Sequence, residues 1–106
     1  MVLKAAACQL VTCAILIAQP QFRNVAGTVT DENGRPVSRA AVRLKNSITL
    51  KIRSQVTDGD GVYRFTGLNP RMDYELRASY KGKSSGWARL SRYDEGEERV
   101  VNLRLR

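Results

Sequence analysis

Histidine is absent from this 106-residue sequence, and its only two cysteines, Cys8 and Cys13, stand in an apolar N-terminal stretch. Without histidine there is no His-based zinc site and no Ser-His-Asp triad. Beyond Cys13 there is neither a cysteine nucleophile nor a disulfide. After Pro20 no segment holds an apolar period of 3.6, so no amphipathic helix is expected there, and there is no internal repeat or low-complexity linker. At this length there is room for one small domain. A content of 42% hydrophobic and 26% charged residues is that of a folded globular chain.

Acidic residues are also in short supply. Ten Asp and Glu face 18 Lys and Arg, giving a formal charge of +8 that draws the chain toward anionic partners. Location decides which anions it meets. Lys4, the apolar run Ala5 to Ala18 and the polar exit Gln19-Pro20-Gln21 form the three regions of a signal peptide, with cleavage expected after Ala18. The run falls short of the ~20 residues that cross a bilayer, so the mature chain is expected to carry no transmembrane span. Cys13 lies inside the run, with Ile15-Leu16-Ile17 still to follow, which argues against lipid attachment. The expected product is secreted or periplasmic and folds without disulfides.

The remaining residues alternate in short β-branched and aromatic runs separated by Gly, Asn, Asp and Pro, an all-β pattern. Seven strands are expected. Phe22 to Val29 places Val25, Gly27 and Val29 on one face, and Ala40 to Lys45 turns Ala40, Val42 and Leu44 inward. Ile48 to Thr57 aligns Ile48, Leu50, Ile52 and Val56, with Lys51 and Arg53 toward solvent. Val62 to Thr66 and Asp73 to Tyr80 follow, then Ser85 to Ser91 and Arg99 to Leu105. Asn33-Gly34 with Pro36, and Asp58-Gly59-Asp60-Gly61, supply turn chemistry. Strands this short and this closely spaced require two small packed antiparallel sheets.

Three stretches carry a family pattern. They are Val25-x-Gly27-x-Val29-x-Asp31-x-x-Gly34-x-Pro36-x-x-x-Ala40-x-Val42-x-Leu44, then Thr57-Asp58-x-x-Gly61-x-Tyr63-x-Phe65-x-x-Leu68, then Tyr74-x-Leu76. Together they resemble the carboxypeptidase regulatory-like domain over residues 22–106. The resemblance implies a seven-stranded, transthyretin-like Greek-key sandwich, related to the accessory domain behind the catalytic unit of metallocarboxypeptidases. Its matching residues build strands, turns and core, with Tyr63 and Phe65 as core plugs and Leu68 covering their end, so it implies a fold and no ligand. A transthyretin-like branch that hydrolyses hydroxyisourate depends on histidine and a C-terminal Tyr-Arg-Gly-Ser. This chain ends Leu103-Arg104-Leu105-Arg106.

Several local patterns reduce to structure. Asp58-Gly59-Asp60-Gly61 lacks the further oxygen ligands of a calcium loop and reads as a hairpin turn. Asn102 invites comparison with the Lys-Asn isopeptide of adhesin sandwiches, but the first strand offers no lysine. The acids of Asp94-Glu95-Gly96-Glu97-Glu98 read as a solvated loop. No catalytic residue, metal or cofactor is expected. Arg43, Lys45, Lys51, Arg53, Arg64 and Arg77 hold outward parity on successive strands and are expected to form one basic face for an anionic ligand. Trp87 and Tyr93 are expected near the Gly-Ser-rich edge, placed to stack on a sugar ring.

The chain therefore reads as an exported, monomeric, non-enzymatic module of the bacterial cell envelope. Its expected partner is an envelope polysaccharide, another anionic polymer or a protein, and not nucleic acid. The alternative is a purely structural accessory or docking domain for a peptidase or a TonB-dependent outer-membrane receptor.

Overall fold

Alternation of Val25 and Val29 with polar neighbours produces β1 (Arg23–Thr30), whose burial alternates residue by residue along its whole length. The computed structural model describes residues 22–94 and 96–106. The expected signal peptide, residues 1–18, lies outside the described residues. The other strands are β2 (Ala41–Asn46), β3 (Ile52–Val56), β4 (Val62–Leu68), β5 (Tyr74–Tyr80), β6 (Lys83–Ser84), β7 (Ala88–Leu90), β8 (Glu98–Val100) and β9 (Leu103–Arg104).

They form a two-sheet, all-β sandwich. One sheet runs β4-β1-β8 with β9 also on β1, and the other runs β3-β2-β5-β6 with β7 also on β5. The chain changes sheet between β1 and β2, β3 and β4, β4 and β5, and β7 and β8. Between the sheets lie Val25, Val42, Leu44, Phe65, Leu76 and Leu90, all essentially inaccessible to water.

Among the described residues nine strands stand where seven were expected: Lys83–Ser84 pairs with β5 ahead of the expected sixth strand, of which Ala88–Leu90 forms, and the expected seventh is interrupted once. Along β5 the pairing breaks at Ser85, whose backbone N–H donates to Ala78 O and whose hydroxyl accepts from Ala78 N, so β6 and β7 are two halves of one edge. Along β1 it breaks at Asn102, whose side-chain oxygen accepts the Thr28 N–H in place of a backbone carbonyl. Both β8 and β9 run parallel to β1, so the first sheet is not purely antiparallel as expected. The last strands reach β1 by crossing from the other sheet, and such a crossing, unlike a hairpin, allows parallel pairing.

The third strand departs most from its reading. Asn46 accepts the Leu50 N–H at its carbonyl and the Ile48 and Thr49 N–H groups at its side-chain oxygen. Leu50 takes a φ of 64°. This turn ends the expected alternation, and β3 starts afresh at Ile52. There Arg53 lies opposite inward-facing Leu44, while Ile52 and Val56 lie opposite outward-facing Lys45 and Ala41. Parity is thus inverted: the apolar residues face solvent, and Arg53 turns toward the interior at the sheet edge.

The turns follow their chemistry. Asp31 Oδ1 accepts from Asn33 N and Arg35 N, Gly34 takes a φ of 80°, and Pro36 bridges back to Thr30. Asp58 Oδ1 accepts from Asp60 N and Val62 N, closing the hairpin whose Gly61 has a φ of 76°. Tyr63, Phe65 and Leu68 are buried in the core as expected.

Asp73, just before β5, ties down the turn that follows β7. It accepts from the Arg92 backbone N–H at 2.7 Å and from the Arg89 and Arg92 guanidinium groups at 3.3 and 3.5 Å. The Arg92 amide bond, outweighing the cost of desolvation, holds this carboxyl below its ordinary 3.8. A lowered folded-state value contributes stability above the unfolded value, and that stability is lost as pH falls through the folded one. Thermal melts below about pH 4 are therefore expected to show declining stability, with a shallower decline in Asp73→Asn. Equal slopes in both chains would remove Asp73 from this role.

Candidate functional site

Cross-strand register assembles the outer face of the β3-β2-β5-β7 sheet in rows. Ile52, Lys45, Glu75 and Arg89 form one row, and Ser54, Arg43 and Arg77 form the next, with Trp87 beside Arg77. Val56, Ala41 and Ser79 form a third. Trp87 immediately precedes β7, which brings its ring over this face. The Lys45 Nζ lies 4.9 Å from the ring centroid and the Arg77 Cζ 5.7 Å, both within cation–π range. Trp87 remains 43% exposed, and on the same face Ile52 and Val56 are exposed at 56% and 61%.

Charge on this face is unevenly neutralised. Lys45 reaches Glu75 at 3.7 Å, and Arg89 is held by Asp73. Arg43 and Arg77 sit directly opposite one another on β2 and β5, and among the described residues neither pairs with a carboxylate; Arg77 donates only to the Ser84 hydroxyl. Like charges placed directly opposite across strands destabilise a sheet. An anion lying between the two would reverse that sign.

The six expected cations do not share one face. Arg43, Lys45 and Arg77 do, with Trp87. Arg53 leaves it because of the inverted register: its Nη1 donates to Thr66 O at 3.0 Å and its guanidinium lies 5.6 Å from the Phe65 ring centroid, covering the open edge of the sandwich. Lys51 and Arg53 both line a separate cleft of about 270 Å³ with Asn46, Asn69 and Tyr74. Arg64 stands on the outer face of the other sheet, opposite Ala26, and pairs with Glu98 at 3.2 Å. Tyr93, 82% exposed, follows the far end of β7 from Trp87, with Arg92 stacked 5.5 Å from its ring. Trp87 and Tyr93 are therefore not joined in one sugar-stacking site.

Sequence reasoning missed Ile52, Val56 and Arg89 as members of this face. The first two carry no sequence signal, because their direction depends on where the turn after Asn46 resets the strand. Arg89 carried one, since it alternates with Ala88 and Leu90.

A model of the family described as the carboxypeptidase regulatory-like domain matches residues 24–106. No protein of curated function matches the sequence. Among solved structures, catechol 1,2-dioxygenase from Acinetobacter sp. ADP1 is similar at 14% identity and a TM-score of 0.58, over 84% of this chain and 54% of that one. The dioxygenase domain of a dioxygenase carbohydrate-binding protein fusion from Streptomyces sp. SirexAA-E is similar at 15% identity and a TM-score of 0.57, over 84% and 82%. The C-terminal domain of the shaft pilin SpaA from Lactobacillus rhamnosus GG is similar at 8% identity and a TM-score of 0.55, over 82% of this chain and 100% of the pilin domain. At these identities the likeness is one of fold alone.

Proposed function

Because this chain belongs to the carboxypeptidase regulatory-like domain family over residues 24–106, we propose that it is an exported, non-enzymatic module of the bacterial cell envelope that binds an anionic polysaccharide on the outer face around Trp87. One observation carries the reading: Arg43 and Arg77 face each other without a carboxylate, next to a half-exposed indole already flanked by Lys45 and Arg77. An acidic sugar meets both features, its ring stacking on the indole and its carboxylate accepting from the guanidinium groups. The apolar leader supports export, and the absence of histidine supports a binding role over a hydrolytic one.

Trp87 is the sole tryptophan, so its fluorescence reports directly on the site. Titration of the full chain with polygalacturonate is expected to change that emission at low salt. At about 1 M salt, where the Debye length is only ~3 Å, the change is expected to weaken strongly. Removing both cations with Arg43→Gln/Arg77→Gln is expected to weaken binding by about tenfold or more, while Arg64→Gln, on the opposite sheet, leaves it unaltered. Equal affinity in all three chains would overturn the reading.

A second reading, a docking domain without a glycan ligand, is favoured by β3 itself. This edge strand is exposed along all five of its residues and, among the described residues, pairs on one side only, with β2, which supports a role in accepting a partner strand. No response to either polygalacturonate or neutral dextran would favour it.

A further inference from the structure

Arg23 heads the inward stripe of β1, in line with Val25, Gly27 and Val29, and is only 3% exposed. Its Nη1 donates to Ser91 O at 2.9 Å. Its Nε and Nη2 are buried and, among the described residues, have no hydrogen-bond partner. These two nitrogens form one edge of the guanidinium, and their N–H bonds run parallel at the spacing of two carboxylate oxygens. A guanidinium keeps its proton at any ordinary pH, so burial cannot be relieved by loss of charge.

Three other arginines of this corner each contact a carboxylate. Arg89 and Arg92 share Asp73, and Arg99 lies 3.6 Å from Asp94. Arg23 has no such carboxylate among the described residues. It lines a cavity of about 690 Å³ together with Pro70, Arg92, Asp94, Glu97 and Glu98, a volume within the usual range of small-ligand sites.

We propose that this corner is a monocarboxylate-binding site, with the Nε/Nη2 edge of Arg23 as its anchor. Geometry selects a ligand with two coplanar acceptors. Charge selects a single negative one, because the fork carries one positive charge and the Glu97 carboxylate on the cavity wall repels a dianion such as hydrogen phosphate or sulfate more strongly. Neither orphan nitrogen touches solvent, so binding requires the groups that cover them to move aside. The site shares no residue with the outer face around Trp87, and either site stands if the other fails.

Free small carboxylates and peptide C-termini present the same chemistry, and a titration separates them. The probes are sodium acetate, triglycine with a free C-terminus, triglycine amide and sodium sulfate, added to the full ¹⁵N-labelled chain at constant ionic strength. The readouts are the Arg23 Nε–H and the backbone amides of Ser91 and Arg92. A saturable shift at millimolar concentration with acetate alone assigns a small carboxylate. The same shift with acetate and triglycine, but not with the amide, extends the site to peptide termini. Arg23→Lys, which keeps the charge and loses the fork, is expected to weaken binding about tenfold as read at the two amides. No saturable shift with either carboxylate would overturn the proposal, leaving an ordered water as partner of the fork. So would equal binding of the amide or of sulfate. Because these outcomes are read on the parent chain, they decide the question whether or not the substituted chain folds.

Discussion

Gly27→Ala is expected to detach the C-terminal strands from the sandwich. A Cβ at position 27 would stand 1.8 Å from Val101 O and 2.6 Å from Val101 C, both backbone atoms, and 3.1 Å from the Tyr63 ring. Backbone cannot rotate aside as a side-chain tip does, so the stretch between β8 and β9 must move. That stretch is held at this point from two directions: Val101 N donates to Ala26 O at 2.9 Å, and Val101 O accepts the Tyr63 hydroxyl. Burial pushes the Tyr63 phenol far above its ordinary value, so it remains a donor well into the alkaline range.

Displacement would loosen both bonds and the parallel pairing of β8 and β9, and would open water's path to Leu103 and Leu105, now buried. Overpacking together with a lost buried hydrogen bond is expected to cost roughly 3 to 5 kcal/mol, a large share of the ~5 to 15 kcal/mol that holds a typical domain together. Urea unfolding followed by circular dichroism is expected to show a midpoint shifted far down or no cooperative transition. A midpoint close to the parent's would mean that the crossing at Val101 does not depend on the missing side chain.

Phe65→Ala is expected to cost a similar amount, roughly 3 to 5 kcal/mol, by leaving a cavity between the sheets. Phe65 is 1% exposed, pairs across from Val25, and packs with Tyr63 at a centroid distance of 6.0 Å and a tilt of 60°. The loss would reach the sandwich edge as well, since the Arg53 guanidinium rests on this ring while it donates to Thr66 O. Arg53→Ala, by contrast, removes an exposed cover and is expected to cost far less. Cooperative melting of Phe65→Ala near the parent temperature would contradict Phe65's role as the central plug. Equal losses for the two substitutions would mean that the edge, not the centre, limits stability.

Much of the fold was legible because it rests on local alternation. From Val25 onward in β1, and at Val42 and Leu44 in β2, apolar residues or glycine recur at every second position, so Val25, Val29, Val42 and Leu44 could be placed inward from the sequence. Turns marked by Asn33-Gly34 and Asp58 to Gly61 were equally local, because one carboxylate oxygen and one positive φ suffice to form them. Alternation failed in β3, where Leu50 adopts positive φ and resets the strand. Nothing in Ile52 to Val56 records that reset; a strand at a sheet edge, exposed on both faces, lacks the burial that would force its apolar residues inward.

The candidate sites divide along the same line. By itself, the sequence determined an all-β domain with the carboxypeptidase regulatory-like pattern, its core plugs, its turns and the outward parity of Arg43, Lys45 and Arg77, because each depends on residues near one another in the chain. Only the tertiary structure decided that Trp87 joins those cations, that Arg53 and Arg64 do not, and that Arg23 is buried with one edge of its guanidinium unpaired among the described residues. Those outcomes depend on which strands become neighbours and in what register, and pairing between residues far apart along the chain is set by the packing of the whole sandwich rather than by any segment of it.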